Sequence, residues 1–224
     1  DPAWLEPIRR ELLHELDADT GEVKAREVDW YDGLVLREHR TAPDPDERAR
    51  ILADAWLSRE PDPDSLRLLA RLKFAGSAID LRSTIVAIAA QARTLGEVCL
   101  SEDHLPWEVR ESLRSHAPDR IEVPSGREMA IEYRDDGTIV VAVKLQELFG
   151  LAETPRLGRA RTPITFELLA PNGRPVQTTK DLRSFWERTY PEVRKELRGR
   201  YPRHPWPDDP WTATPTHRTK KRTG

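Results

Sequence analysis

The chain has little cysteine and no long apolar run. Its 224 residues contain one cysteine, Cys99, which excludes an internal disulfide framework and suits a reducing compartment. No apolar segment approaches the roughly 20 residues that a membrane-spanning helix requires, and no signal-peptide pattern opens the chain. These absences predict a cytoplasmic protein without a membrane partner.

Motifs for catalysis, cofactors and metals are also missing. The sequence has no phosphate-binding P-loop and no glycine-rich dinucleotide turn. Its six histidines show no metal-ligand spacing, and one cysteine does not make a zinc knuckle. Paired carboxylates such as Asp135-Asp136 lie in turn or proline contexts where solvation accounts for them. We therefore predict no catalytic residue, no cofactor site and no metal site in this chain.

Charge is distributed unevenly along the sequence, although the net charge is only −3. Residues 180–224 hold twelve Lys and Arg against six Asp and Glu, whereas the other 179 residues hold 24 against 33. Such an asymmetry indicates a polyanionic partner for the basic end.

The order of helical and strand patterns predicts an α+β fold built from four segments. Residues 1–40 read as a β-meander, 41–118 as a helical insertion, 119–211 as a second α+β segment, and 212–224 as a flexible basic tail. This order suits a small barrel or a strongly twisted sheet with inserted helices. C-terminal basic helices followed by a proline-rich extended strap complete the prediction.

Local signals place turns and buried positions within these segments. Asp-Gly or Asn-Gly pairs predict three hairpin turns, at 32–33, 136–137 and 172–173, and imperfect alternation predicts a bulge at Glu27-Val28. In the helical segment we assign Leu66 and Trp107 to apolar faces. Arg67, Arg71 and Lys73 are interpreted as a solvated basic edge.

The stretch 181–211 combines basic and aromatic side chains at high density. Arg and Lys supply phosphate contacts, and exposed aromatic rings supply faces on which bases stack. Pro191 predicts two short helices meeting near Tyr190, with Thr178 and Thr179 as capping residues and Gly199 as the stop. We predict that nucleic acid is bound by Arg183, Arg188, Arg194, Lys195, Arg198, Arg200, Arg203, His204 and Trp206.

Core packing competes with base stacking for the aromatic residues of this stretch. Phe185, Trp186 and Tyr190 fall on the apolar face of their helix, which favours burial. Trp206, lying between prolines, fits either a strap pinned onto the domain or a stacking platform, and the strap is favoured.

Several runs of the sequence resemble the C-terminal region of the HrpB family, bacterial ATP-dependent helicases of the DEAH/RHA class. The similar runs cover about 121–210 and appear in the family's order. They are Val123-Pro-Ser-Gly126, Leu145-Gln-Glu-Leu-Phe-Gly-Leu-Ala-Glu-Thr-Pro155, Leu168-Leu169 with Pro171 and Gly173-Arg-Pro-Val-Gln177, Asp181-Leu182, Phe185-Trp186, Tyr190, Glu192-Val-Arg-Lys195, Gly199-Arg-Tyr-Pro202, His204-Pro-Trp-Pro207 and Asp209-Pro210.

The resemblance implies a parent enzyme with two RecA-like motor domains that bind ATP and Mg²⁺, hydrolyse ATP and act on RNA in the cytoplasm. Since the motor motifs are missing and the first residue is Asp, the chain is expected to be an excised or motor-less C-terminal part. The resemblance also implies an oligonucleotide-binding (OB-like) barrel. The cofactors would be bound by the motor domains outside this chain.

Two functional hypotheses follow. In the first, the chain is a non-catalytic accessory region that binds single-stranded RNA, or DNA, through its basic C-terminal helices. In the second, it is a structural or interaction module that docks on the RecA-like domains without touching RNA, and Glu187, Glu192 and Glu196 favour this through local ion pairs.

Overall fold

A computed structural model describes residues 9–216, which divide into two compact units. The first unit contains residues 9–68 and 78–106, and the second contains residues 69–77 and 107–216. The strands are β1 (Arg9–Leu16), β2 (Val23–Tyr31), β3 (Leu34–Thr41), β4 (Arg120–Glu122), β5 (Glu128–Ala130), β6 (Glu132–Tyr133), β7 (Ile139–Lys144), β8 (Arg156–Leu157), β9 (Thr162–Leu169) and β10 (Pro175–Thr179). The α-helices are α1 (Pro45–Ser58), α2 (Pro63–Ala75), α3 (Leu81–Gln91), α4 (Trp107–His116), α5 (Leu182–Ser184) and α6 (Tyr190–Arg200).

The first unit begins with an antiparallel sheet in the order β1-β2-β3. The predicted hairpin turn at 32–33 is confirmed, since Tyr31 pairs with Leu34 around it. Gly33 takes a φ of 79°, a left-handed conformation that glycine adopts without steric cost. The irregularity in this strand pair is an extra residue of β3, Leu36, opposite Asp29 and Trp30 of β2, so the bulge predicted at Glu27-Val28 lies instead on the partner strand.

Helices cover this sheet and complete the core of the first unit. Asp44 caps α1 by accepting hydrogen bonds from the amides of Asp46 and Glu47, and Pro45 occupies the first turn, where its missing N–H costs nothing. Leu52 and Trp56 form the fully buried stripe of α1. That stripe packs against α3 and the sheet, so apolar burial holds the unit together.

The second unit is organised by a sheet in the order β10-β9-β7-β6, with β8 paired to the end of β9. Strands β7 and β9 run parallel over six residue pairs, from Ile139↔Ile164 to Lys144↔Leu169. Strands β4 and β5 form a separate hairpin. Mixed α+β architecture is thus confirmed, but no sheet within residues 9–216 is closed, and the OB-like barrel is not observed.

The helical segment departs from the sequence interpretation at three positions. Arg71 is 6% exposed rather than solvated, and its Nε donates to the carbonyl oxygen of Ala117 at 2.8 Å. Leu66 and Trp107, assigned to apolar faces, are 41% and 64% exposed. A helical pattern alone does not distinguish a buried arginine that satisfies a carbonyl from a surface one.

The proposed division at residues 40, 118 and 211 remains a prediction. Residues 217–224 of the predicted basic tail lie outside the described part of the chain. Across residues 9–216, each helix is too short or too polar to traverse a lipid bilayer.

Candidate nucleic-acid interface

The C-terminal helical segment starts at α5 and continues through a π-helical turn, Phe185–Thr189, into α6. Asp181 is the N-cap, accepting a hydrogen bond from the Ser184 amide, so the capping role predicted for Thr178 and Thr179 is wrong. Pro191 lies in the first turn of α6, and the helix runs one residue beyond Gly199, to Arg200. A wider turn at this junction lets the chain pass Pro191 without a break.

The aromatic residues of the segment are core residues. Phe185, Trp186 and Tyr190 are 3%, 3% and 1% exposed, which confirms the predicted burial. The rings of Trp186 and Tyr190 lie 5.3 Å apart, and the Phe149 ring lies 6.0 Å from each of them. Trp186 Nε1 donates to the Leu151 carbonyl at 2.8 Å, and because the residue is buried its ring offers no face for a base.

An extended strap, defined as residues 201–216, follows the helix and is fastened back onto the second unit. The Gly150 amide donates to the Pro210 carbonyl at 2.9 Å, and the Thr216 amide donates to the Gln146 carbonyl at 3.0 Å. Tyr190 Oη donates to the Pro207 carbonyl at 2.9 Å. Burial raises the pKa of the Tyr190 phenol, an effect that nearby Arg194 partly offsets.

Three of the predicted phosphate-binding residues make intramolecular contacts. Arg194 Nε donates to the Trp206 carbonyl at 2.9 Å, and its Nη2 lies 2.5 Å from an Asp208 carboxylate oxygen. Arg183 pairs with Glu153, and Arg200 pairs with Glu196 at 3.1 Å. Arg194 thus links the helix to the strap, Arg183 pairs with the connection that precedes β8, and the Arg200 pair lies within α6.

Four other predicted residues, Arg188, Lys195, Arg198 and Arg203, are exposed. None of them forms an ion pair or side-chain hydrogen bond with any of residues 9–216. Lys195 and Arg198 are neighbours on α6, three residues apart, whereas Arg188 lies in the preceding π-helical turn and Arg203 in the strap. We call these four residues the free cations.

His204 and Trp206 occupy the strap. Trp206 is 7% exposed and donates through Nε1 to the Tyr201 carbonyl at 2.9 Å, a placement that fits the pinned strap. His204 is half-buried, and its Nδ1 has no hydrogen-bond partner among residues 9–216. Burial, and to a smaller extent the charge of Lys144, lowers the pKa of its imidazole. The ring is therefore neutral at physiological pH and does not add to the positive charge.

A buried carboxylate joins two of the sequence runs that resemble the family. Glu147 is fully buried and accepts hydrogen bonds from Ser125 Oγ at 3.0 Å and Arg127 Nη1 at 2.9 Å. Ser125 lies within the turn of the β4–β5 hairpin and Arg127 follows it, so Glu147 fixes that turn beside the 3₁₀ turn Leu145–Leu148. We conclude that these motif residues serve the fold.

Sequence reasoning did not identify a group of arginines in the turn between β8 and β9. Arg156, Arg159 and Arg161 are all exposed there. Residues 154–166 contain these three arginines and no acidic residue. This local excess of positive charge is visible in the sequence and would have indicated the group. For metals, no group of three or more His, Cys, Asp or Glu side chains in residues 9–216 is arranged to hold an ion.

Comparison with known proteins assigns this architecture to a class, the C-terminal regions of ATP-dependent helicases. A family model with that description, HrpB_C, matches residues 84–210. The ATP-dependent RNA helicase HrpB of Escherichia coli (strain K12) is 47% identical over 117 residues, which is 52% of this chain and 14% of that protein. The chain belongs to the HrpB C-terminal helicase family.

Two crystal structures have the same fold. The E. coli DExH-box NTPase HrpB matches 94% of this chain with a TM-score of 0.70 and 29% identity. The Escherichia coli DEAH/RHA helicase HrpB matches 90% with a TM-score of 0.60 and 28% identity. This chain covers 30% and 29% of those two chains.

Proposed function

We propose that this chain is a non-catalytic accessory region of an ATP-dependent RNA helicase and that it binds single-stranded RNA. The contacts would be made by the free cations, which have no intramolecular partner among the described residues. Phosphate oxygens of an RNA strand are the complement of such unpaired guanidinium and ammonium groups. The exposure of these four side chains, without an ion-pair partner among residues 9–216, is the observation that carries the proposal.

The remaining predicted residues receive different roles in the proposal. Arg183 and Arg200 are engaged in surface ion pairs, Arg194 links the helix to the strap, and buried Trp206 anchors the strap. His204 contributes a neutral hydrogen-bonding group at most. The RecA-like domains of the whole cytoplasmic enzyme would bind ATP and Mg²⁺ and carry out hydrolysis, and they would be the chain's other partner.

The test is fluorescence anisotropy of the 224-residue chain with labelled single-stranded RNA over a salt series. Four phosphate contacts predict a slope of log affinity against log salt of about −3, since each contact contributes about 0.7 for a single strand. Replacing Arg188, Lys195 and Arg198 with Gln should make that slope shallower by about 2.

A matched variant controls for the lost charge. Replacing Arg40, Arg59 and Arg93 with Gln removes the same charge from three exposed positions of the first unit. This variant should leave the slope of log affinity against log salt unchanged. If the two triple variants weaken binding equally, the free cations are not the contact site.

One observation favours a second function, docking on the motor domains without RNA contact. Glu187, Glu192 and Glu196 are exposed between the cations, and Glu196 already pairs with Arg200. A surface of alternating charge suits a protein partner with the complementary pattern. Absence of RNA binding at low salt, with retained binding to the motor domains, would favour this function.

A further inference from the structure

The turn between β8 and β9 is a second basic surface in the same unit. The turn joins Leu157 to Thr162, and we call Arg156, Arg159 and Arg161 the arginine turn. None of the three forms an ion pair with any carboxylate of residues 9–216. By contrast, the helical segment that carries three of the four free cations also exposes Glu187, Glu192 and Glu196. The arginine turn is therefore the less compensated of the two positive surfaces.

Backbone contacts hold this turn in one conformation. Strand pairing closes it through Arg156↔Pro163 and Leu157↔Thr162. Within it, the Arg161 amide donates to the Gly158 carbonyl at 3.2 Å, and Arg156 Nη1 donates to the Arg161 carbonyl at 3.1 Å. A turn fixed in this way presents its side chains at a lower entropic cost of binding than a flexible loop.

Packing against Phe74 fixes the turn further. Gly158 has a φ of +71°, and a Cβ placed on it would lie 2.8 Å from Cε1 of the Phe74 ring. The Phe74 ring in turn lies 5.0 Å from the ring of Tyr133. Gly158 thus meets two requirements at once, a left-handed conformation and a close approach to an aromatic ring.

The base of the turn is joined to the start of the C-terminal helical segment. The Leu182 amide donates to Thr154 Oγ1 at 2.9 Å, and Arg183 pairs with Glu153. Arg156 follows Thr154 by two residues, so their Cα atoms lie within about 7 Å of each other. The arginine turn and the helix with the free cations consequently extend from one place on the second unit.

We propose that the arginine turn is a second phosphate-binding surface for the single-stranded RNA strand bound by the free cations. This inference rests on the proposed RNA-binding function. Guanidinium groups form paired hydrogen bonds with phosphate oxygens and cannot lose their charge at physiological pH. Three of them on a fixed turn contact the backbone of a strand without reading its sequence.

The test replaces Arg159 and Arg161 with Gln in the 224-residue chain. Arg156 is left unchanged because its side chain contacts the turn backbone.

The probe is the same labelled single-stranded RNA over the same salt series. Loss of two contacts should make the salt slope shallower by about 1.4, so the ratio of the variant's Kd to that of the unmodified chain should grow about 25-fold for each tenfold reduction in salt. The control variant, Arg59→Gln with Arg93→Gln, removes the same charge from the first unit and should leave the slope unchanged. Circular dichroism and the thermal midpoint confirm that each variant is folded.

The possible outcomes separate this inference from the proposed function. A slope change in the turn variant but not in the control supports the inference. If the turn variant binds like the unmodified chain while the Arg188, Lys195 and Arg198 variant loses affinity, the inference is overturned and the proposed function stands. If the unmodified chain binds no RNA at low salt, both are overturned.

Discussion

At the residue scale, a buried carboxylate joins two of the family-like motifs. Glu147 has no solvent exposure, and it accepts hydrogen bonds from Ser125 and Arg127, which lie about twenty positions earlier in the chain. A carboxylate in this position is stabilised only while its donors are present, because an unpaired buried charge is strongly unfavourable. The sequence spacing of these residues does not indicate the contact, since it is formed by the fold.

Glu147→Ala should therefore lower the free energy of unfolding by about 3 kcal/mol, because two hydrogen bonds to a buried carboxylate are lost, whereas Arg127 is 49% exposed and regains water. Urea denaturation with a two-state fit measures the change. The control is Glu153→Ala, which removes a carboxylate that is 67% exposed and paired with Arg183. A surface pair of this kind contributes about 1 kcal/mol or less. Equal effects of the two substitutions would contradict a structural role specific to Glu147.

At the scale of elements, the sequence predicts local structure well and long-range pairing poorly. The Asp-Gly and Asn-Gly turns and the strap all appear, because turn conformation and proline restriction are properties of neighbouring residues. The parallel pairing of β7 with β9 was not predicted. It joins two strands that residues 145–161 separate in the sequence, and tertiary packing determines it. Of the two predicted arrangements, a small barrel or a twisted sheet, the closed barrel is not observed in residues 9–216.

For the candidate site, the sequence locates the basic helix but does not distinguish its cations. Arg194 and Lys195 are adjacent in the sequence, yet Arg194 contacts the strap and Lys195 is exposed. The distinction depends on which side of the helix faces the strap, and a periodic pattern rich in charge leaves this undetermined. His204 and Trp206 illustrate the same limit, because their burial depends on where the strap docks.

At this scale we predict that the contacts of Arg194 with the strap keep the strap docked on the second unit. Arg194→Ala should release the strap and lower the free energy of unfolding by about 2 kcal/mol, since a half-buried charged donor to a carbonyl and a carboxylate is removed. Hydrogen exchange of the Gly150 amide measures docking directly, because that amide donates to the Pro210 carbonyl. Exchange should accelerate in Arg194→Ala and stay unchanged in Lys195→Ala, which alters the exposed neighbour. Unchanged protection in both variants would show that the strap is held without Arg194.

At the scale of the whole molecule, stability should be limited at alkaline pH by two buried phenols. Tyr133 and Tyr190 are 7% and 1% exposed, and burial raises the pKa of each above the ordinary value for tyrosine. A raised pKa in the folded state means that the unfolded chain releases its phenol protons first as the pH rises. The stabilisation from these two groups is complete below the unfolded pKa of about 10 and is lost as the pH rises above it.

Urea denaturation at a series of pH values from neutral to strongly alkaline tests this limit. The unmodified chain should lose stability above about pH 10 more steeply than the variant with Tyr133→Phe and Tyr190→Phe. At neutral pH the free energy of unfolding of the variant should be lower than that of the unmodified chain, because the hydrogen bonds to the Pro118 and Pro207 carbonyls are lost. Its decline with pH should nevertheless be shallower, since neither buried phenol remains to ionise. Parallel declines would mean that alkaline unfolding arises from groups other than these two tyrosines.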